Sequence, residues 1–271
     1  MSISIHPEGR YFIVGYQNGL FKLWRIGESE PIATFGEASE KTIIGKHSVI
    51  SVAIHPDGEH FLTGYIGGGL ELWHIDSSEA KRSYLGADIS INSIAFHQDG
   101  ETFLTGHGKK TIKLWRTDKP KFTKSFKGIG SGRVTSIAVL PQDKRFLTGS
   151  TDGTIQLWDP SFSEPARTFE WIDSAIDSIA FLPDGETFLT GSRDKKIRLW
   201  RNGFSKHLKM FEGHNDDVNS IALHPDGKRF LTGSDDKTVK VWEIDPFLLK
   251  EPNEKLETVC ETLSDLSLIH I

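Results

Sequence analysis

A tryptophan that closes a short apolar run recurs six times along the chain. The runs FKLW, LELW, IKLW, IQLW, IRLW and VKVW end at Trp24, Trp73, Trp115, Trp158, Trp200 and Trp242, spaced by 49, 42, 43, 42 and 42 residues. A fixed period of this length constrains the fold before any local preference does, because each unit must be one supersecondary piece that buries its apolar surface on its neighbours. Each unit reads as an apolar run such as VNSIALH, a PDG-type turn, a second run such as RFLTGS, a polar turn and a third run ending in the tryptophan. A weaker fourth segment follows the first five tryptophans: IATFGE, KRSYLG, FTKSFKG, ARTFEW and HLKMFEG. The runs are short, rich in Val, Ile, Thr and Phe, and bounded by Gly, Asp and Pro, which is strand patterning rather than helix patterning. The period therefore predicts an all-β chain of four-stranded sheets stacked side by side, the pattern of β-propeller blades.

The chain has 271 residues, 37% of them hydrophobic, enough to bury a core of single-domain size. Its formal charge of −5 supplies no global positive field for nucleic acid or an anionic membrane, so nucleic acid is not expected as a partner. The single cysteine, Cys260, cannot form an internal disulfide, which favours a reducing, cytoplasmic setting. The opening MSISIHPEGR lacks a basic stretch followed by an apolar core, and no run approaches the roughly 18 apolar residues of a membrane span.

Residues Phe230 to Glu243, FLTGSDDKTVKVWE, together with the preceding FEGH, resemble the WD-repeat (β-transducin-like) family, and the resemblance extends over roughly residues 1 to 245. It implies a β-propeller with six recognisable blades at about 1–37, 38–87, 88–128, 129–170, 171–213 and 214–246. It also implies a structural tetrad in which a His before the inner strand links an Asp and a Ser or Thr hydroxyl to the tryptophan. The sixth blade matches this fully with His214, Thr232, Asp236 and Trp242. The fourth keeps Thr148, Asp152 and Trp158 with Ile129 at the His position, and the fifth keeps Thr190, Asp194 and Trp200 with Ile172 there. Asn18, Gly67 and Lys109 stand at the Asp position of the first three blades, and Trp-Asp itself survives only as Trp158-Asp159. The early blades are therefore expected to rest on packing more than on polar bonds.

Family rings are closed, often with seven blades and an outer strand borrowed from the other chain end. Here Ser2 already aligns inside an inner strand, so an incomplete ring, part of a larger propeller, is expected. Residues 247–271 leave the repeat; Leu256, Val259, Cys260, Leu263 and Leu266 fall at helical spacing after Asn253, which predicts a short C-terminal helix, with LETVCETL as a poor outer strand for the last blade the alternative.

The chemistry-bearing residues have structural readings. A His, a Thr and an Asp together suggest a catalytic triad, but the hydroxyl lies inside a strand with no strained nucleophile elbow, so no catalytic residue is assigned. His6, His55, His97 and His224 recur before the PDG-type turn, yet Leu140 and Leu182 fill the same position, so no metal site is assigned. Gly67 to Gly69 lack the P-loop pattern and read as a turn. No cofactor is expected.

Two kinds of partner surface stand out. Eight basic residues, Lys109, Lys110, Lys113, Arg116, Lys119, Lys121, Lys124 and Lys127, oppose only Asp118 in the third blade. Seven more, Arg193, Lys195, Lys196, Arg198, Arg201, Lys206 and Lys209, oppose only Asp194 in the fifth. Either run suits a polyanion or an acidic partner, or serves as edge protection. On the loop faces Trp171, the only tryptophan outside the repeat position, is either a candidate anchor or a core-filling ring, with Asp173, Arg193, Arg133, His107, Asp216, Asp217 and Asp235 as face positions around it. The inner strands read SIAF, SIAV or SIAL, with little titratable chemistry, which argues against a propeller enzyme. The leading expectation is a scaffold that binds other proteins, a module of a larger regulatory or signalling protein, with polyanion binding as the alternative. This functional step rests partly on resemblance, since fold does not fix function.

Overall fold

The computed structural model describes residues 2–36, 48–87 and 90–249. Its first sheet comprises β1 (Ser2–Ile5), β2 (Tyr11–Gly15), β3 (Phe21–Arg25) and β4 (Pro31–Phe35). The second comprises β5 (Val49–Ile54), β6 (His60–Tyr65), β7 (Leu70–His74) and β8 (Ala80–Ser83). The third comprises β9 (Ile91–Phe96), β10 (Thr102–His107), β11 (Thr111–Arg116) and β12 (Lys124–Lys127). The fourth holds β13 (Val134–Val139), β14 (Phe146–Ser150), β15 (Ile155–Trp158) and β16 (Arg167–Thr168). The fifth holds β17 (Ile176–Phe181), β18 (Thr187–Ser192), β19 (Ile197–Arg201) and β20 (Lys209–Phe211). The sixth has three described strands, β21 (Val218–Leu223), β22 (Arg229–Ser234) and β23 (Val239–Glu243).

Within each sheet the strands pair as antiparallel meanders, and the inner strands of consecutive blades pack on one another in chain order, β1 on β5, then β9, β13, β17 and β21. A short 3₁₀ turn, Pro246–Leu249, follows the sixth blade, and the helix expected further on lies outside the described residues.

Two devices cement each junction. The first is a socket: the second strand of every blade carries a glycine, and the next blade inserts a β-branched residue against it. A Cβ added at Gly149 would stand 2.6 Å from Ile176 Cγ2, and Gly15, Gly64, Gly106 and Gly191 receive Val49, Ile91, Val134 and Val218 in the same way. Only glycine leaves this approach open in a close-packed interior. The second is aromatic. Eleven residues after each of the first five tryptophans stands Phe35, Tyr84, Phe126, Phe169 or Phe211, which packs edge-on against the ring pair of the following blade. Phe126, for example, lies 5.6 Å from Phe146 and 5.8 Å from Trp158 between centroids, while Phe146 and Trp158 stack at 6.0 Å. Each buried ring contributes roughly 2–3 kcal/mol by apolar burial alone. The cores therefore lie between sheets, and the cluster around Leu157 and Phe169 of the fourth blade includes Phe188 and Trp200 of the fifth.

The ring is not closed by the described residues. Leu231, Val239 and Val241 on the sixth blade are 43%, 71% and 68% exposed, and Ile3 and Ile5 on the first are also exposed. Phe12 and Trp24 are only half-buried, with no outer-strand aromatic over them among the described residues.

Candidate functional site

The tetrad is realised in the sixth blade. The His214 ring lies 2.8 Å from Asp236 Oδ2 through Nδ1 and 2.6 Å from Thr232 Oγ1 through Nε2, and the Trp242 indole N–H donates to the same hydroxyl at 2.8 Å. Asp236 is held far below the usual carboxylate range by the Thr238 hydroxyl, which it accepts at 2.6 Å, and by the Asn215 N–H and His214. The Thr232 hydroxyl is buried and already accepts the indole, so it presents no nucleophile to solvent. This chain of bonds locks the loop before β21 to the sheet.

The second to fifth blades keep the link from tryptophan to threonine and replace the rest. Trp73, Trp115, Trp158 and Trp200 donate to Thr63, Thr105, Thr148 and Thr190 at 2.8–3.0 Å. In the third blade His107, from β10 itself, meets Thr105 Oγ1 at 2.7 Å and is 0% exposed. This corrects its expected place on the loop face: it does the work of the missing loop histidine. In the second blade Tyr65 stands at the same strand position, with its hydroxyl 3.2 Å from Thr63 and donating to Glu71 at 3.1 Å. Burial, with Glu71 beside it, pushes the Tyr65 hydroxyl well above its ordinary value.

In the fourth blade Lys110 arrives from the third, pairs with Asp152 at 2.8 Å and also bonds the Thr154 hydroxyl and the Ile129 carbonyl. In the fifth, Arg198 pairs with Asp194 at 2.5 Å and bonds Ser192 at 3.0 Å. Both carboxylates are shifted low: burial pushes them up, and these cations with neighbouring hydroxyls outweigh it. The second and third blades, expected to rest on packing more than on polar bonds, thus carry polar chains of their own. In the first, Val14 replaces the threonine and the buried Trp24 indole N–H has no partner among the described residues.

The histidines before the turns are turn pieces. His6, His55 and His224 accept the Glu8, Asp57 and Asp226 N–H at 3.0–3.2 Å, and His55 reaches the Gly100 carbonyl at 2.8 Å. Gly67 to Gly69 form the turn that returns Tyr65 N–H to the Gly69 carbonyl, with Gly68 at φ 85°.

The two basic runs do not form continuous patches. Lys110 and Lys113 are buried, Arg116 is satisfied by Asp118 at 2.8 Å, and Lys124 donates to the Pro160 and Phe162 carbonyls at 2.6 and 3.0 Å. In the fifth blade Arg198 and Arg201 are buried, Lys196 pairs with Glu212 at 3.1 Å, and Lys195 bonds the Asn215 carbonyl. Lys121 and Lys127 are exposed beside and on outer strand β12.

The loop-face residues divide. Arg193 pairs with Asp177 at 2.8 Å and approaches Asp217 at 4.0 Å, and Asn219 donates to Asp235 at 2.5 Å. Desolvation and then Asp216 raise Asp217, with Asp177 and Asp235 adding to the effect and Arg193 opposing it. Arg193, Asp216, Asp217 and Asp235 therefore form one acidic cluster around a single guanidinium. The sequence reading missed its centre, Asp177, by treating the inner strands as poor in titratable groups. The signal was there: Ile50, Asn92, Thr135, Asp177 and Asn219 vary at one repeat position whose neighbours do not. Trp171 is 64% exposed, and its indole N–H donates to the Asp152 carbonyl. The loop it opens returns to the cluster, since Arg193 N–H donates to Ala175 at 3.0 Å. Asp173 and Arg133 are exposed on the loops that lead into β17 and β13.

A groove of about 270 Å³ between the second and third blades was also unforeseen. Its charges are matched within it: Asp57 meets His60 at 2.8 Å, Lys81 meets His60 at 2.8 Å, and Arg82 bonds the Asp118 carbonyl at 2.6 Å.

The family pattern described as WD domain, G-beta repeat matches residues 38–74, 79–116, 120–159, 163–201 and 205–243. Comparison with curated proteins returns no match. The last four matches each take the outer strand of one blade with three strands of the next, as 205–243 spans β20 to β23. The repeat is thus the unit that bridges a junction, with its aromatic on one sheet and its tryptophan on the other. With six such sheets and five matched repeats, the chain belongs to the WD40 repeat family, whose propeller is a fold typical of protein-interaction scaffolds.

Proposed function

We propose that this chain is a non-catalytic scaffold that docks another protein on the loop face of its fourth to sixth blades. The observation that carries the reading is Trp171: a large apolar ring, 64% exposed, yet fixed by its N–H on the Asp152 carbonyl. A pre-set aromatic loses little freedom on binding and is the kind of anchor that concentrates binding energy. The neighbouring Asp216, Asp217 and Asp235 outnumber Arg193, so the partner that fits is an extended segment with an apolar side chain for the indole and basic residues for the carboxylates.

A cytoplasmic setting and membership of a larger regulatory or signalling assembly belong to the same proposal, supported by the lone Cys260 and by the several addressable faces of a propeller. Polyanion binding is less well supported, because Lys110, Arg116, Lys124, Lys196 and Arg198 are drawn into internal contacts.

The test is capture of partners from a lysate of the source cells by the full chain. Trp171→Ala, and separately Asp217→Asn with Asp235→Asn, should each deplete the same captured protein at unchanged thermal stability. Retention of every captured protein by both variants would refute the reading.

A further inference from the structure

The second blade departs from the repeat at two positions that line the groove between it and the third. His60 opens β6 where the third and fifth blades have Thr102 and Thr187, and Lys81 lies in β8 where they have Thr123 and Leu208. The junction itself is made by Gly64, Ile91 and Tyr84, as at the other blades, so the stacking of the sheets does not call for an imidazole or an ammonium there.

The two residues form one chain of contacts. The Lys81 ammonium stands 2.8 Å from His60 Nε2, and because an ammonium only donates, that nitrogen accepts. The proton of the neutral ring is then on Nδ1, which donates to Asp57 at 2.8 Å. Asp57 therefore orients the imidazole, and the imidazole holds the ammonium at the groove. Arg82, the next residue, places one N–H on the Asp118 carbonyl across the groove at 2.6 Å. A neutral ring and a carbonyl satisfy hydrogen bonds without cancelling charge, and among the described residues neither cation forms an ion pair with a carboxylate. Both side chains keep their positive charge and further donors. The carboxylates that line the groove are already compensated: Asp57 also accepts the Glu59 and His60 N–H at 2.8 and 3.0 Å, and Asp118 accepts Arg116 at 2.8 Å. The far wall is fixed as well, since the Thr117 carbonyl accepts the Tyr84 hydroxyl at 3.0 Å and the Thr117 N–H donates to the Glu101 carbonyl at 2.9 Å.

We infer that this groove is a binding site for a small phosphate monoester, whose phosphoryl group is received by Lys81 and Arg82 and whose body lies against Leu72. Two neighbouring cations, one of them a planar guanidinium, match a dianion with several acceptor oxygens better than a carboxylate, which brings a single charge. The cavity of about 270 Å³ falls just below the range of drug-sized ligands, so the body is no larger than a single ring. The site takes a small anion rather than a polyanion, and it is independent of the loop face around Trp171.

The probe is phenyl phosphate, titrated calorimetrically into the full chain at neutral pH and low salt. Saturable binding at one site is expected, weakened about tenfold by Lys81→Met and abolished by Lys81→Met combined with Arg82→Gln. Lys228→Met, at an exposed lysine of the sixth blade, should leave it unchanged. Benzoate, the same ring with one negative charge, should bind about tenfold more weakly than phenyl phosphate. Arg82 also holds the Asp118 loop, so Lys81→Met, at an exposed side chain, carries the test alone should the double variant fail to fold. No saturable binding, a loss in Lys228→Met as large as in Lys81→Met, or equal affinity for benzoate would overturn the inference.

Discussion

Lys110 leaves the third blade and sets its ammonium 2.8 Å from the Asp152 carboxylate of the fourth, with a side chain only 1% exposed. A lysine in that position is a strut between two sheets. Lys110→Met should lower stability by about 1–3 kcal/mol, because it leaves the half-buried Asp152 carboxylate without its cation. Asp152→Asn added to Lys110→Met should restore part of the loss. Equilibrium denaturation of the two single variants and the double variant measures the coupling.

The first blade predicts a gain. Val14 occupies the strand position of Thr63 and Thr105, and the Trp24 indole N–H that would use a hydroxyl there is buried without a partner among the described residues. Val14→Thr changes the shape little and supplies the acceptor, so it should stabilise by about 1 kcal/mol. A rise in the urea midpoint at unchanged slope checks it, and a fall would show that the hydroxyl is not met.

Thr190→Val should have the opposite effect in the fifth blade, where the Trp200 N–H donates to Thr190 at 2.9 Å. The loss expected is about 1–3 kcal/mol, the cost of stranding a buried donor. Thermal unfolding of the variant is the measurement.

Asp57 predicts a pH dependence. Burial pushes its carboxyl up, but the His60 ring and the Glu59 and His60 N–H groups outweigh this and bring it from 3.8 to about 2. A carboxylate lowered on folding contributes stability that is present above its unfolded value and lost as pH falls through the folded one. Wild-type stability should therefore fall between about pH 4 and pH 2 more steeply than that of Asp57→Asn. Denaturation midpoints across that range compare the two slopes.

Much of this architecture was legible in the sequence. The tryptophan period located every sheet, including the first, which the family pattern does not match, because a 42-residue unit with four apolar runs has few ways to bury them. The polar chains were less legible, since hydrogen-bond partners are chosen in space. His107 looked like a loop residue because its strand position is Ser150 or Ser192 elsewhere, and only the sheet shows its ring turned inward to Thr105. Lys110 and Arg198 looked like surface charge because their partners, Asp152 and Asp194, become neighbours through turns that periodicity does not describe. Trp171 was readable as an anomaly of composition, but its exposure was not.

The claim on which the rest depends is that each blade is fastened to the next by a side chain seated on a strand glycine. Gly149→Ala and Gly233→Ala occupy the same position of the repeat, and their denaturant midpoints in the full chain compare a glycine that receives Ile176 with one whose nearest described neighbour to an added Cβ is Ser220 at 3.9 Å. Gly149→Ala should cost about 1–3 kcal/mol, because the new methyl meets Ile176. Gly233→Ala should stay within about 0.5 kcal/mol of wild type. Equal losses, or the larger loss at Gly233, would contradict the account.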